Sequence, residues 1–157
     1  MGFIPKDAKW YLADIVEEIR VEGDPRNVVH TNVLLVREDF PDEAYKKAIA
    51  LGRRGNTRYK NTDGKTVTIK FRGLSELNVI HDELEHGCEI SYSEAVGVSE
   101  NKIKSWISPK RKLGVFAPIR PHRVPDYASA DIMREVYERW PRLKEVGGAR
   151  YNKKRRK

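Results

Sequence analysis

The chain has one cysteine, Cys88, among 157 residues, so it can close no internal disulfide and supply no cysteine-based four-ligand zinc site. A reducing compartment suits such a chain, and we expect a cytoplasmic protein. No apolar run approaches the roughly 20 residues of a membrane span, and Met1 to Trp10 lacks the basic-then-apolar layout of a signal peptide. None of G-x-x-x-x-G-K-[ST], G-x-G-x-x-G or G-x-S-x-G occurs, which removes the main support for a phosphate-binding loop or a hydrolase elbow. Internal repeats are absent, and the only low-complexity tract is the basic C-terminal run. Acidic residues are scarce in that region: Arg142 to Lys157 hold eight Lys/Arg against one acid, whereas residues 1–141 hold 23 against 22. The formal charge of +8 therefore resides mainly in a tail, and a near-neutral body precedes it.

What remains is the composition of an ordinary globular domain, 34% charged and 39% hydrophobic, long enough to bury a sizeable core. From Trp10 to Val21 apolar residues alternate, with Tyr11, Ala13, Ile15, Ile19 and Val21 on one face and Trp10, Leu12 and Val16 on the other. This predicts a central strand. The turn formers Gly23 to Asn27 lead into a second alternating run ending near Val36, which predicts an antiparallel hairpin. Pro41, Asp42 and Glu43 open a helix whose Ala44, Tyr45, Ala48, Leu51 and Gly52 should face the sheet, with Asp39 as a substitute cap. Asn61-Thr62-Asp63-Gly64 separates two further strands, Thr57–Lys60 and Lys65–Arg72. Beyond Gly73 the spacing of Leu77, Ile80 and Leu84 predicts a short helix capped by Ser75 and ended by Gly87, then a strand through Cys88, Ile90 and Tyr92. Ser99 caps another short helix with Ile103, Trp106 and Ile107 inward.

The expected fold class is α+β: a mostly antiparallel sheet with a main helix packed on one face, short additional helices and a C-terminal helical extension. The expected organisation is an α+β domain over 1–117, a Pro-rich linker over 118–125, a helix within 126–146 and a basic disordered tail over 147–157.

Several segments together resemble a bacterial family of small α+β domains designated a domain of unknown function. They are the Trp10-Tyr11 start, Val21 to Val29 with its Glu-Gly-Asp-Pro-Arg-Asn core, Pro41 to Tyr45, Asn61 to Lys65, and Phe71 to Leu74 running into Leu77 to Leu84. The resemblance spans roughly residues 10–117. It implies an α+β fold and a bacterial or phage setting, and it carries no activity, cofactor or catalytic residue. An accessory or immunity-like role fits such a domain by analogy alone.

The densest set of ligand-type side chains is His81, Asp82, Glu85 and His86. On a helix the two histidines would stand about 140° apart and could not chelate together as the H-E-x-x-H pair does, so a solvated acidic helix end competes with a metal site. Cys88 beside His86 lacks a positioned base or oxyanion motif and reads as a buried hydrophobe. The aromatic and basic residues of Tyr59-Lys60, Lys70-Phe71-Arg72 and Lys104-Ser105-Trp106 interleave, but Phe71 and Trp106 fall on apolar faces and should be core. Candidates for phosphate contact are Lys110, Arg111 and Lys112, with Arg150, Lys153, Lys154, Arg155, Arg156 and Lys157 in the tail. Ile132, Met133, Val136, Tyr137 and Trp140 form an apolar stripe on the last helix, which either docks on the body or is held out to a partner.

No catalytic residue and no cofactor is assigned. The leading expectation is a non-enzymatic module that binds a protein partner. Nucleic-acid binding through the basic tail is the alternative, and a metal-dependent hydrolase centred on His81 to His86 ranks third.

Overall fold

The computed structural model of the chain describes residue 4, residues 6–117 and residues 124–144. Its described residues fall into two compact units, one of residues 4–90 with 124–144 and one of residues 91–117.

The first unit is built on a four-stranded antiparallel sheet of order β2-β1-β4-β3. Strand β1 (Trp10–Val21) pairs with β2 (Asn27–Arg37) on one side and with β4 (Thr66–Val79) on the other. The predicted central strand is thus β1. Gly23, at φ +80°, makes the turn into β2, a conformation that a residue with a Cβ rarely adopts. Strand β3 (Thr57–Lys60) pairs with the start of β4 and forms the predicted second hairpin. Helix α1 (Pro41–Arg54) packs on β4, β1 and β2, with Ala44, Ala48 and Gly52 buried against them. No side chain caps α1 at Phe40, so Asp39 does not replace the missing cap. Pro41 and the acids Asp42 and Glu43 serve its first turn instead. Tyr45 lies outside the contact, 54% exposed, because the helix meets the sheet along the narrow row of small residues.

The inner face of the sheet carries two core clusters. Tyr11, Ala13, Val36, Ala44 and Ala48 form one beneath α1, joined by Leu51, Leu74, Leu77 and Val79. Ile19, Val21 and Val67 form the other, joined by Val28, Tyr59, Ile69 and Tyr127. The phenol oxygen of Tyr11 is buried with no hydrogen-bond partner among the described residues, and burial pushes its pKa up.

The second cluster is roofed by the segment from Val124 onward, which is tied to the β3–β4 turn by side chains. Asn61, the one buried polar residue among those described, donates to the Asp126 carbonyl at 2.7 Å. Its Oδ1 accepts from the Lys65 and Asp63 amides at 2.8 and 3.0 Å. The Tyr59 hydroxyl donates to the Tyr127 carbonyl, the Thr62 hydroxyl donates to Asp126, and Asn61 forms an isolated bridge with Ser129. Helix α2 (Glu100–Trp106) belongs to the second unit and helix α3 (Ala130–Arg139) to the first.

Two expectations fail at β4 and just beyond it. The helix expected over 75–87 does not form: β4 continues to Val79, and residues 80–90 contain no helix or strand. Register shifts near Val16 and Asp14 leave Arg72 and Ser75 as extra residues on β4. Phe71, Leu74 and Leu77 therefore all face the core at intervals of three, a helix-like spacing on a bulged strand. The strand expected through Cys88 is likewise absent. Cys88 is half-buried, and Ile90 and Tyr92 are exposed. Helix α2 does form, with the Ser99 hydroxyl accepting from the Lys102 amide at 3.4 Å, yet Ile103, Trp106 and Ile107 are exposed rather than inward.

Candidate functional site

The outer face of the sheet, away from α1, divides into an apolar half and a basic half. Cross-strand partners share a face, so the register fixes which side chains meet there. On β2 the outer face carries Val29, Thr31, Val33 and Leu35, whose partners on β1 are Glu18, Val16, Asp14 and the buried Leu12. Val29 is 56% exposed, Val33 61% and Leu35 50%, while the inward Val36 is 1% exposed. At the β1 end of this half, the Arg37 guanidinium lies 5.7 Å from the ring centre of Trp10, its partner in the ladder.

Strand β2 also forms one margin of the sheet, with no strand on its far side among the described residues. The two margins differ in kind. Strand β3 is four residues long, carries Arg58 and Lys60, and is flanked by the Asn61–Ser129 bridge and the Tyr59 bond to Tyr127. Strand β2 runs 11 residues with Arg37 as its only Lys, Arg, Asp, Glu or Pro. It lacks the short length, charges and proline by which proteins usually blunt an exposed edge.

The basic half lies on β3, the first part of β4 and the end of β1; farther along β4 the outer face carries Glu76 opposite Asp14. Arg58 and Arg20 both pair with Thr68, Lys60 pairs with Thr66, and Lys70 pairs with Glu18. Arg72 joins them through its contact with Glu18 at 3.7 Å. Glu18 also meets Arg20 at 2.7 Å and accepts from the Asn27 amide at 3.0 Å. The Asn27 hydrogen bond, then the Arg20 and Arg72 cations, hold its carboxyl below the usual range. Glu22 accepts from the Thr66 amide at 2.8 Å and lies 3.8 Å from Lys60. The amide bond leads in lowering its pKa. Alternation along β3 and β4 also explains the interleaved aromatic and basic residues: Tyr59 and Phe71 face inward, while Lys60, Lys70 and Arg72 face outward.

A third polar feature lies on the inner face. Glu17 accepts from the Asn32 amide at 2.7 Å, and its other oxygen abuts Gly55, where an added Cβ would collide with it. Nearby in the ladder, His30 pairs with Glu17 and sets its ring edge-on to Tyr127 at 5.4 Å.

The structure does not assemble the metal candidates into a ligand set. His81, Asp82, Glu85 and His86 are all exposed in the irregular stretch after β4, where Asp82 accepts from the Glu89 amide at 3.2 Å. Among the described residues, no group of three or more His, Cys, Asp or Glu side chains is placed to hold a metal. Lys110, Arg111 and Lys112 form an exposed 3-10 turn in the second unit, with Lys110 at 5.0 Å from the Phe116 ring centre. Arg150, Lys153, Lys154, Arg155, Arg156 and Lys157 lie outside the described residues. On α3, which Ser129 caps, Ile132 and Trp140 are exposed and Met133, Val136 and Tyr137 are half-buried. No residue of that helix is fully buried.

Lys60, Lys70 and Arg72 stand out in the sequence as basic residues interleaved with aromatics, but their union with Arg20 and Arg58 is made by strand pairing. The alternation of Thr66 to Arg72 was the available signal, since it sorts polar from apolar without saying which strands lie alongside.

These features define a small antiparallel α+β module with an open edge and a two-part outer face. The chain belongs to the family described as Domain of unknown function (DUF4288), which it matches over residues 10–93. No curated protein and no solved structure matches it. No described helix is long and apolar enough to cross a membrane.

Proposed function

We propose that this chain is a non-catalytic binding module that takes a protein partner by strand addition along β2. One observation carries the reading: an 11-residue margin with almost no charge lies beside Val29, Val33 and Leu35, each half or more exposed. An unpaired strand offers main-chain donors and acceptors for affinity, and the outer-face side chains offer apolar sites for selectivity. Exposed apolar residues scattered singly need no partner, and three along one strand edge favour one. The lone Cys88 supports a cytoplasmic setting for the module, and the family resemblance supports a bacterial one.

The test is copurification of the full chain from its native host, with hydrogen exchange read on the captured complex. Expected are a stoichiometric protein partner, slowed exchange at β2 amides, and loss of at least about tenfold in affinity for Val33→Lys, whose outward position leaves the fold intact. A partner that binds Val33→Lys as tightly as the parent chain but is lost with Trp140→Ala would move the site to α3.

A further inference from the structure

We propose that the basic half of the outer face, formed by β3, the first part of β4 and the end of β1, binds the phosphodiester backbone of nucleic acid without reading base identity. This surface borders the start of β2 through the Glu18–Val29 and Arg20–Asn27 pairs, and it does not depend on the protein-binding reading. Five cations, Arg20, Arg58, Lys60, Lys70 and Arg72, share it with two acids, Glu18 and Glu22, an excess of three positive charges. Both acids are already occupied, Glu18 by Asn27, Arg20 and Arg72, and Glu22 by the Thr66 amide and Lys60. Arg58 and Lys70 are exposed and make no ion pair with a described residue.

The arrangement selects among polyanions. Alternate residues on a strand lie about 6.8 Å apart and neighbouring strands about 4.8 Å, so the cations stand on a two-dimensional lattice that suits a row of charges. Thr68, exposed between Arg58 and Arg20 in the ladder, adds a hydroxyl where a phosphate oxygen would sit. Strand alternation places Tyr59 and Phe71 on the opposite face, so this half offers no ring for an unpaired base to stack on. That favours a duplex backbone over a single strand. The one exposed apolar neighbour of this half among the described residues is Val29, the ladder partner of Glu18, and a single valine is a poor anchor for insertion into a bilayer.

The experiment measures binding of the full chain to a short mixed-sequence DNA duplex over a salt series, with anionic phosphatidylserine vesicles in parallel. The variants are Arg58→Glu/Lys70→Glu and, separately, replacement of Lys153 to Lys157 by Gly and Ser. Losing two phosphate contacts should make the salt slope shallower by about 1.8 and weaken binding at least about tenfold at 0.1 M salt. The same decrement should appear when the double variant is made in the tail-replaced chain, because the sheet face acts on its own. Should charge reversal lower the unfolding temperature, Arg58→Gln/Lys70→Gln is used instead, with a loss of about threefold or more expected. Failure of the parent chain to bind duplex, or duplex binding unchanged by the folded variants, overturns the proposal. A loss seen with vesicles but not with duplex also overturns it and assigns the face to a bilayer.

Discussion

Asp24 shows how a short turn can reset the chemistry of one side chain. Its Oδ1 accepts from both the amide and Nε of Arg26 at 3.0 Å, and its Oδ2 from the same guanidinium at 2.8 Å. The guanidinium hydrogen bonds, followed by the amide bond, lower the Asp24 pKa to about 2 from an ordinary 3.8. A depressed carboxylate pKa gives stability that is present above 3.8 and lost as pH falls toward about 2. The group is exposed, so the gain is small and screened by salt. An NMR titration of the side-chain carboxyl should find its midpoint near 2 in the parent chain. In Arg26→Ala the midpoint should rise toward 3.8 without reaching it, because the amide donor remains. A parent midpoint already near 3.8 would show that the turn does not hold this geometry in solution. The turn itself was legible from Gly23 to Asn27. The carboxylate–guanidinium pairing was not, since turn formers announce a reversal of the chain but not which side chains fold back onto each other.

At the scale of elements, the close approach of α1 to β4 sets the geometry of the inner face. Gly52 is buried in the helix, and a Cβ added there would lie 2.5 Å from Phe71 Cδ2 and 2.9 Å from Cζ. Alanine in a helix gains about 1 kcal/mol over glycine, whereas forcing an aromatic ring aside in a packed site costs about 1–3 kcal/mol. The clash wins, and Gly52→Ala should lose about 1–2 kcal/mol in denaturant unfolding. Combined with Phe71→Leu, which removes the ring, the substitution should cost less than it does alone, a coupling that a double-mutant cycle reads directly. Additive losses would place the ring elsewhere.

The same strand shows why legibility was uneven. Trp10–Val21, Asn27–Arg37 and Thr57–Lys60 could be read because a regular ladder has period two and a turn signal at each end. The second half of β4 could not, because extra residues at Arg72 and Ser75 shift the parity and leave Phe71, Leu74 and Leu77 spaced like a helix face. The same spacing places His81 to His86 on a helix that does not form, so the helix faces on which those side chains were to meet are absent from the described residues. Conversely, the basic outer face was legible only in pieces: Lys60, Lys70 and Arg72 stand out beside aromatics, but only the register brings them together with Arg20 and Arg58.

At the scale of the whole molecule, the family match ends at residue 93, yet the fold of that region is completed by residues far beyond it. Asp126 and Tyr127 receive the hydrogen bonds of Asn61, Thr62 and Tyr59, and the Tyr127 ring packs with Ile19, Val21 and Val67. Removing the segment would leave the Asn61 amide unpaired and expose the Tyr59 side of that cluster. An abandoned buried donor costs about 1–3 kcal/mol, and uncovering part of an aromatic and a valine adds about 1–2 kcal/mol. A chain truncated after residue 123 should therefore unfold about 2–4 kcal/mol more easily than the full chain, with a Tm lower by roughly 10 °C. The loss of residues 149–157 alone should leave Tm nearly unchanged, since Ala149 and Tyr151 are their only apolar residues. Asn61→Ala in the full chain separates the tie from the bulk removed: it breaks the bond to Asp126 and leaves the Asp63 and Lys65 amides without their acceptor. It should reproduce at least half of the truncation's effect in thermal unfolding. Equal Tm values for the full chain, the truncation and Asn61→Ala would mean that residues 124–144 ride on the sheet without supporting it, and that the core over residues 10–93 is stable alone.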